Sequence, residues 1–313
     1  MTLREQIRRN YLMTAVLLTF FGVLMAALAA ALYSIYGTGA AIAALIGGVA
    51  WAGFSWFMST NVVSAVTGAQ PITKADNPEL YRIVENLSIA AGLPVTPAVR
   101  IVDDPAPNAF AAGRNAKNSY VCVTTGLLQT MDKRELEGVI SHELAHVQHR
   151  DVRLMTLVAV LVGVIAMISD IALRMMFYGG GRRRSGNAGD LIVLAIGICG
   201  LILAPLAAVG IQMAISRKRE YLADAGGAEI SGDAEGLALA LRKLMDDPRE
   251  IRDTSKSTAH LYIEGPLHKA SGPRALLGGM FDTHPPLEDR IARLEEIGGF
   301  KLPPQGVATS ATA

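Results

Sequence analysis

The residues best placed to do chemistry are His142, Glu143 and His146, in the run Val139-Ile140-Ser141-His142-Glu143-Leu144-Ala145-His146-Val147. On a helix, positions four apart share a face about 6 Å along the axis, so two imidazoles there can reach one ion. Glu143 then stands beside that ion. Two neutral nitrogen ligands, a metal-activated water and a carboxylate to take its proton are the parts of zinc-assisted hydrolysis, and H-E-x-x-H is their spacing. At this His and Glu content the spacing arises by chance roughly once in two hundred chains, so the surrounding residues must strengthen it. They do: Asp132 and Glu135 make a capping box, and Leu136, Val139, Ile140, Ala145 and Val147 supply the apolar positions of a helix.

Two histidines leave zinc short of a third protein ligand. His149 lies on the same helical face, but its backbone sits about 10 Å along the axis from that of His142. Ligands held ~2 Å from one ion cannot be that far apart. A metzincin pattern would need Gly and His where His149 and Val152 stand. A carboxylate from another helix is preferred, and Arg219-Glu220-Tyr221-Leu222-Ala223-Asp224 offers two. Glu220 and Asp224 are four apart, so one can bind metal while the other accepts the N–H of a ligand histidine. The bland alternative is a pair of solvated charges on a basic juxtamembrane helix.

The elements that must position these groups are of two kinds. Half of the 313 residues are hydrophobic (51%), 18% are charged and the net charge is +1, which argues against a nucleic-acid partner. Cys122 and Cys199 sit in unlike surroundings and read as buried thiols, not as a disulfide framework. The apolar residues are gathered in blocks: Tyr11 to about Ile35, Ala40 to Met58, Leu154 to Leu173, and Leu191 to Ile215. Each is long enough to span a bilayer, giving four spans in two hairpins. The first is too long for a signal peptide. Trp51, Trp56 and Phe57 suit an interfacial anchor, and Asp170 and Pro205 interrupt the second pair. Lys and Arg near the span ends place both termini and the histidine helix on the cytoplasmic side, with Arg174 and Arg182 to Arg184 dissenting.

Residues 59–153 read as globular. Asn77, Pro78 and Gly92 bracket a helix; Ala98–Val102, Asn108–Ala112 and Ser119–Thr124 read as strands, the last two joined by a turn. An edge strand beside the ion can pair with an extended peptide, and Asn108, Ala109, Phe110 and Ala111 are the candidate edge. Asp233 caps a helix through Leu237, Leu241 and Leu244; residues 249–279 look irregular and polar, a candidate flap; Leu287–Ile297 is an amphipathic helix. His260 and His268 read as surface residues. The expected fold is α+β, mainly helical: a zincin-like domain with a small sheet and four transmembrane helices. Its parts are an N-terminal hairpin (1–58), the first part of a catalytic domain (59–153), a second hairpin (154–215), the second part of that domain (216–300) and a disordered tail (301–313).

Taken together, Asn108-Ala109-Phe110-Ala111, Val123-Thr124-Thr125-Gly126-Leu127-Leu128, the His142–His146 motif, Arg219-Glu220-Tyr221-x-x-Asp224 and Thr283-His284-Pro285-Pro286 resemble the HtpX family of membrane-bound zinc metalloproteases, relatives of the CAAX prenyl endopeptidase. The resemblance covers nearly the whole chain; the Arg- and Gly-rich loop at 179–184 and the Ala-rich tail depart from it. It implies one zinc ion per chain on His142, His146 and Glu220, with Glu143 as base. It also brings His284 near the site, where the Pro285-Pro286 stop fixes its backbone. By the same resemblance the protein sits in a bacterial inner membrane, faces the cytoplasm, and cuts unfolded or misfolded membrane proteins. Two other classes remain open on residues alone: a four-span transporter with a structural metal, and a catalytically silent chaperone-like scaffold. The oligomeric state is not legible.

Overall fold

The computed structural model describes residues 38–157, 217–249, 261–263 and 285–303, with scattered residues of a helical stretch between 5 and 26. The second hairpin beyond residue 157, the loop at 179–184, Cys199, Asp170, Pro205, His260, His268, His284 and the tail beyond residue 303 lie outside the described residues.

Helix α1 (Thr38–Thr67) is 30 residues long and carries no charged side chain. It runs past Met58, where the apolar run ends, and buries Val63, Ser64 and Thr67 against the domain. Among the described residues no helix is long and apolar enough to cross a membrane; many side chains of α1 lie outside that description. Strand β1 (Gln70–Pro71) follows, then helix α2 (Pro78–Ala90), which Asn77 caps by accepting the Leu80 N–H while Pro78 fills the first turn. Gly92 leaves it at φ +64°, the left-handed stop that glycine adopts without strain.

Strands β2 (Ala98–Val102), β3 (Ala109–Gly113) and β4 (Ser119–Thr124) complete a four-stranded sheet in the order β1-β2-β4-β3. β2 and β4 are parallel, in register from Ala98 with Tyr120 to Val102 with Thr124. β3 and β4 form a hairpin, Ala109 facing Val123 and Gly113 facing Ser119. β3 begins one residue later than the sequence suggests, because the Asn108 N–H bonds to the Thr124 hydroxyl and its side chain takes the Ala109 N–H. Alternation along β4 divides the core. Val121 and Val123 face the helices, whereas Tyr120 and Cys122 join Phe110, Met155, Leu261 and Tyr262 on the other face. The Cys122 thiol is free and buried, and burial pushes its pKa up, so it is a packing residue.

A short helix, α3 (Thr125–Thr130), leads into α4 (Lys133–Gln148), which carries the H-E-x-x-H motif and starts with the expected Asp132–Glu135 capping box. Helices α5 (Arg217–Ser231) and α6 (Ala234–Asp246, capped by Asp233) pack on it, and α7 (Leu287–Gly298) packs on those two. The approach is close where glycine allows it. A Cβ on Gly227 would sit 2.9 Å from the His142 backbone nitrogen, and one on Gly138 would sit 2.6 Å from that of Leu237. Within the segment expected to be irregular and polar, Leu261, Tyr262 and Ile263 are buried instead. Three consecutive bulky apolar residues gain more by joining the core than a solvated loop would return.

Candidate metal centre

Helix α4 delivers His142 and His146 from successive turns, and α5 crosses it at the Gly227 contact. Glu220, Asp224 and Gly227 lie at i, i+4 and i+7, so the face that packs closely on α4 also points both carboxylates at the histidines. The His142 Nε2 lies 3.8 Å from one Glu220 carboxylate oxygen and the His146 Nε2 lies 3.7 Å from the other. The rings are perpendicular, their centroids 4.8 Å apart. Among the described residues these three form the one group of ligating side chains able to hold a metal ion, and all are buried.

The donor set fits zinc. Atoms ~2.0–2.1 Å from a tetrahedral ion lie about 3.4 Å from one another, and with one ligand atom from each residue the three lie within 4.8 Å of one another, so side-chain rotations must draw them together around an ion. The remote ring nitrogens agree. The His142 Nδ1 lies 3.0 Å from Asp224 Oδ1, and the His146 Nδ1 lies 3.3 Å from Asp151 Oδ2. A carboxylate on each Nδ1 fixes the proton there and leaves both Nε2 lone pairs for a cation. His149 caps the end of α4 with its Nδ1 4.0 Å from Asp151, and it is not among the grouped ligands, as its place along the helix axis requires.

Two groups in this shell escaped the sequence reading. Arg290, from α7, is fully buried and grips Asp224 with Nε at 2.9 Å and Nη2 at 2.7 Å, while its Nη1 donates to the Ile263 carbonyl at 3.1 Å. Nη1 also lies 3.7 Å from Glu220. The signal was present: Leu287, Arg290, Ile291 and Leu294 lie on one stripe, so an arginine occupies the apolar face of that helix. Asp151 gave no periodic signal, because it reaches back to His146 only through Arg150, whose φ of +62° turns the chain out of the helix. A side-chain amide from the N-terminal stretch, Asn10, donates to Asp151 and, at 3.1 Å, to the His149 carbonyl.

The electrostatics follow from burial and these partners. Burial, with the Arg290 charge, pushes His142 down to about 4, against the pull of Asp224, so it is neutral and ready to ligate. Burial would also lower His146, but the Asp151 hydrogen bond and the Glu220 charge outweigh it and raise the group to about 9. Burial lifts Glu143 to about 7, aided by Glu220 and opposed by His146, Arg290 and the Ala111 N–H. Asp224 is pulled down despite burial, through Arg290 and His142.

The candidate edge strand is indeed at the sheet edge, as β3. The Thr124 N–H donates to the Asn108 carbonyl and the Arg114 N–H to that of Asn118, so alternation turns the main-chain groups of Asn108 and Phe110 toward β4 and those of Ala109 and Ala111 outward. The Ala109 carbonyl accepts the Ile263 N–H at 2.9 Å, and Ala111 faces Glu143. The Phe110 ring packs edge-on against Tyr120 and Tyr262, on the other face of the sheet. All four residues are buried.

The model of peptidase family M48 matches residues 74–298, a span that holds His142, Glu143, His146, Asp151, Glu220, Asp224 and Arg290. The chain belongs to peptidase family M48. It is a metalloprotease of the HtpX type. It is 42% identical over 304 residues to the protease HtpX homolog of Lactobacillus helveticus, covering 94% of this chain and all of that one. Against the protease HtpX homolog of Tropheryma whipplei (strain Twist) the identity is 45% over 243 residues, 78% of this chain and 80% of the relative. The fold itself is shared more widely: the crystal structure of S. mikatae Ste24p matches with a TM-score of 0.50 at 16% identity, over 93% of this chain and 67% of that one.

Proposed function

We propose that this M48 metalloprotease is an integral-membrane zinc endopeptidase that hydrolyses unfolded or misfolded proteins, membrane proteins among them, in a quality-control role. The observation that carries the reading is the convergence of His142, His146 and Glu220 beside Glu143, with a carboxylate behind each ring. His142, His146 and Glu220 would hold one zinc ion per chain, and Asp224 and Asp151 would orient the rings. When bound, zinc supplies Lewis-acid polarisation of a carbonyl and makes a water acidic enough to lose its proton near neutrality. Glu143 would serve as the base, accepting a proton from the attacking water and returning it to the leaving amine. Its burial sets its basicity between the two tasks. The outward carbonyl of Ala111, two residues beyond the Ala109 carbonyl occupied by Ile263, pairs with the substrate backbone. His284, two residues before the Pro286 cap of α7, would approach the site as a donor, either supporting a zinc ligand or stabilising the oxyanion.

Four apolar runs of spanning length support insertion in a bacterial inner membrane, and the Lys/Arg balance supports a cytoplasmic catalytic domain. At 1.5 Å per residue the 30-residue α1 is about 45 Å long, so in length alone it exceeds a ~30 Å hydrocarbon core. The test is cleavage of casein by detergent-purified protein. Activity should vanish with a chelator and return with added zinc; a zinc-loaded protein that cuts no unfolded substrate leaves a metal-binding scaffold as the account.

A further inference from the structure

A cavity of about 690 Å³ opens on the other side of the C-terminal end of α4, walled by the N-terminal helical stretch, α1, the turn after α2 and the loop after β3. Arg114, Lys117, Arg150 and Arg153 line it with Tyr11 and Trp56, and among the described residues no Asp or Glu does. Among the described residues none of these four cations has an ion-pair partner. The three arginines contact rings instead, and Arg150 also donates to the Tyr11 hydroxyl. The Arg153 guanidinium lies 5.1 Å from both the Tyr11 and Trp56 ring centres, that of Arg150 lies 5.5 Å from Tyr11, and that of Arg114 lies 5.3 Å from Phe57. The Nε atoms of Arg114 and Arg153 are buried without a hydrogen-bond partner. A buried donor left in that state is unfavourable, and four like charges around one cavity repel. Both costs fall if an anion with several acceptor oxygens occupies the cavity, since phosphate oxygens match guanidinium donors.

The place of the cavity decides which anion. Tyr11 begins the first apolar run, Trp56 lies near the end of the second, and Arg153 immediately precedes the third. The cavity therefore lies at the level where the chain enters and leaves its apolar runs. There aromatic rings meet lipid headgroups, and basic pockets on the cytoplasmic side take acidic ones. We infer that this cavity binds the phosphate of one anionic phospholipid headgroup, held by Arg114, Arg150 and Arg153 and bordered by Tyr11 and Trp56. The inference rests on the membrane reading given above.

The test titrates the full-length, zinc-loaded protein in detergent with phosphatidylglycerol, with phosphatidylcholine of the same chains, and with inorganic phosphate, reading bound lipid by native mass spectrometry and phosphate by competition. Phosphatidylglycerol should bind saturably at one per chain, phosphatidylcholine should not, and phosphate should compete at least about a hundredfold less well. Arg114→Gln/Arg153→Gln should weaken phosphatidylglycerol binding by at least about tenfold, the loss of two charged hydrogen bonds, with zinc content unchanged as evidence of an intact fold. Arg217→Gln/Lys218→Gln removes two exposed cations outside the cavity and should change affinity less than twofold. Equal binding of the two lipids, or equal loss in both double variants, would overturn the site. Phosphate binding as tightly as the lipid would assign it to a soluble anion. Alkaline extraction of membranes separates the two levels: a chain released by it defeats the membrane reading, whereas a retained chain without lipid selectivity defeats this inference alone.

Discussion

Replacing Arg290 with Met should destabilise the protein more than any other single change on α7. The guanidinium is fully buried and makes two bonds to Asp224, one to the Ile263 carbonyl and a longer contact with Glu220. Met fills similar space but leaves Asp224 as a buried carboxylate with only a neutral imidazole opposite. Removing one partner of a buried ion pair costs roughly 3–5 kcal/mol, because the remaining charge is desolvated without compensation. At about 2–4 °C per kcal/mol for a domain of this size class, the melting temperature should fall by roughly 6–20 °C. Asp224→Asn alone should cost a similar amount by stranding Arg290, yet the double variant should melt well above the sum of the two losses, since neither orphan charge remains. Thermal unfolding of the four zinc-loaded proteins in detergent gives the cycle. A fall below about 2 °C for Arg290→Met, or losses that simply add, would show that the pair does not hold α7 against the ligand helix.

Glu220→Gln should strip zinc during dialysis against a competing chelator, since an amide oxygen is a poor uncharged donor, whereas His149→Ala should keep one ion per chain. Asp224→Ala should fall between them, with about 10–100-fold weaker zinc binding; zinc lost from the His149 variant instead would mean that α4 ends early. His146 has a raised pKa, about 9. Its proton stabilises the metal-free fold fully below ~6.5 and is lost as pH rises through about 9. Zinc must displace that proton, so binding near pH 7.5 should release about one proton and tighten about tenfold per unit of rising pH. Calorimetry in two buffers of different ionisation enthalpy reads this, and equal heats would contradict it. Gly227→Val should push α5 away from the His142 backbone, which leaves no room for a Cβ, and should lose both stability and zinc; a zinc-replete, stable variant would show that the close helix contact is not what positions Glu220.

Local signals made much of this legible. The capping box at Asp132, the cap at Asn77, the Asp233 helix and the strands Ala98–Val102 and Ser119–Thr124 each depend on neighbours within a few residues, and each forms where the sequence places it. The i, i+4 spacing of Glu220 and Asp224 left open which binds metal. The crossing of α5 over α4 puts Glu220 on the Nε2 side and Asp224 on the Nδ1 side, a choice no local pattern contains. Asp151 was hidden for the same reason, because its approach to His146 depends on one left-handed residue, Arg150. Arg290 was legible in principle, as a cation on an apolar stripe, but its partner came from a helix 66 residues away. Leu261-Tyr262-Ile263 was hidden by the polar residues flanking a three-residue apolar core segment.

The central claim is that Glu143 moves a proton beside a metal that other residues hold, and Glu143→Gln tests it most directly. The substitution keeps the size of a fully buried side chain and touches none of the grouped ligands. Purified variant and wild type should carry the same zinc, one ion per chain, while casein hydrolysis falls by about 10²–10⁴-fold, the usual loss when a general base is removed. Equal cleavage by the two proteins at equal zinc content would contradict the account.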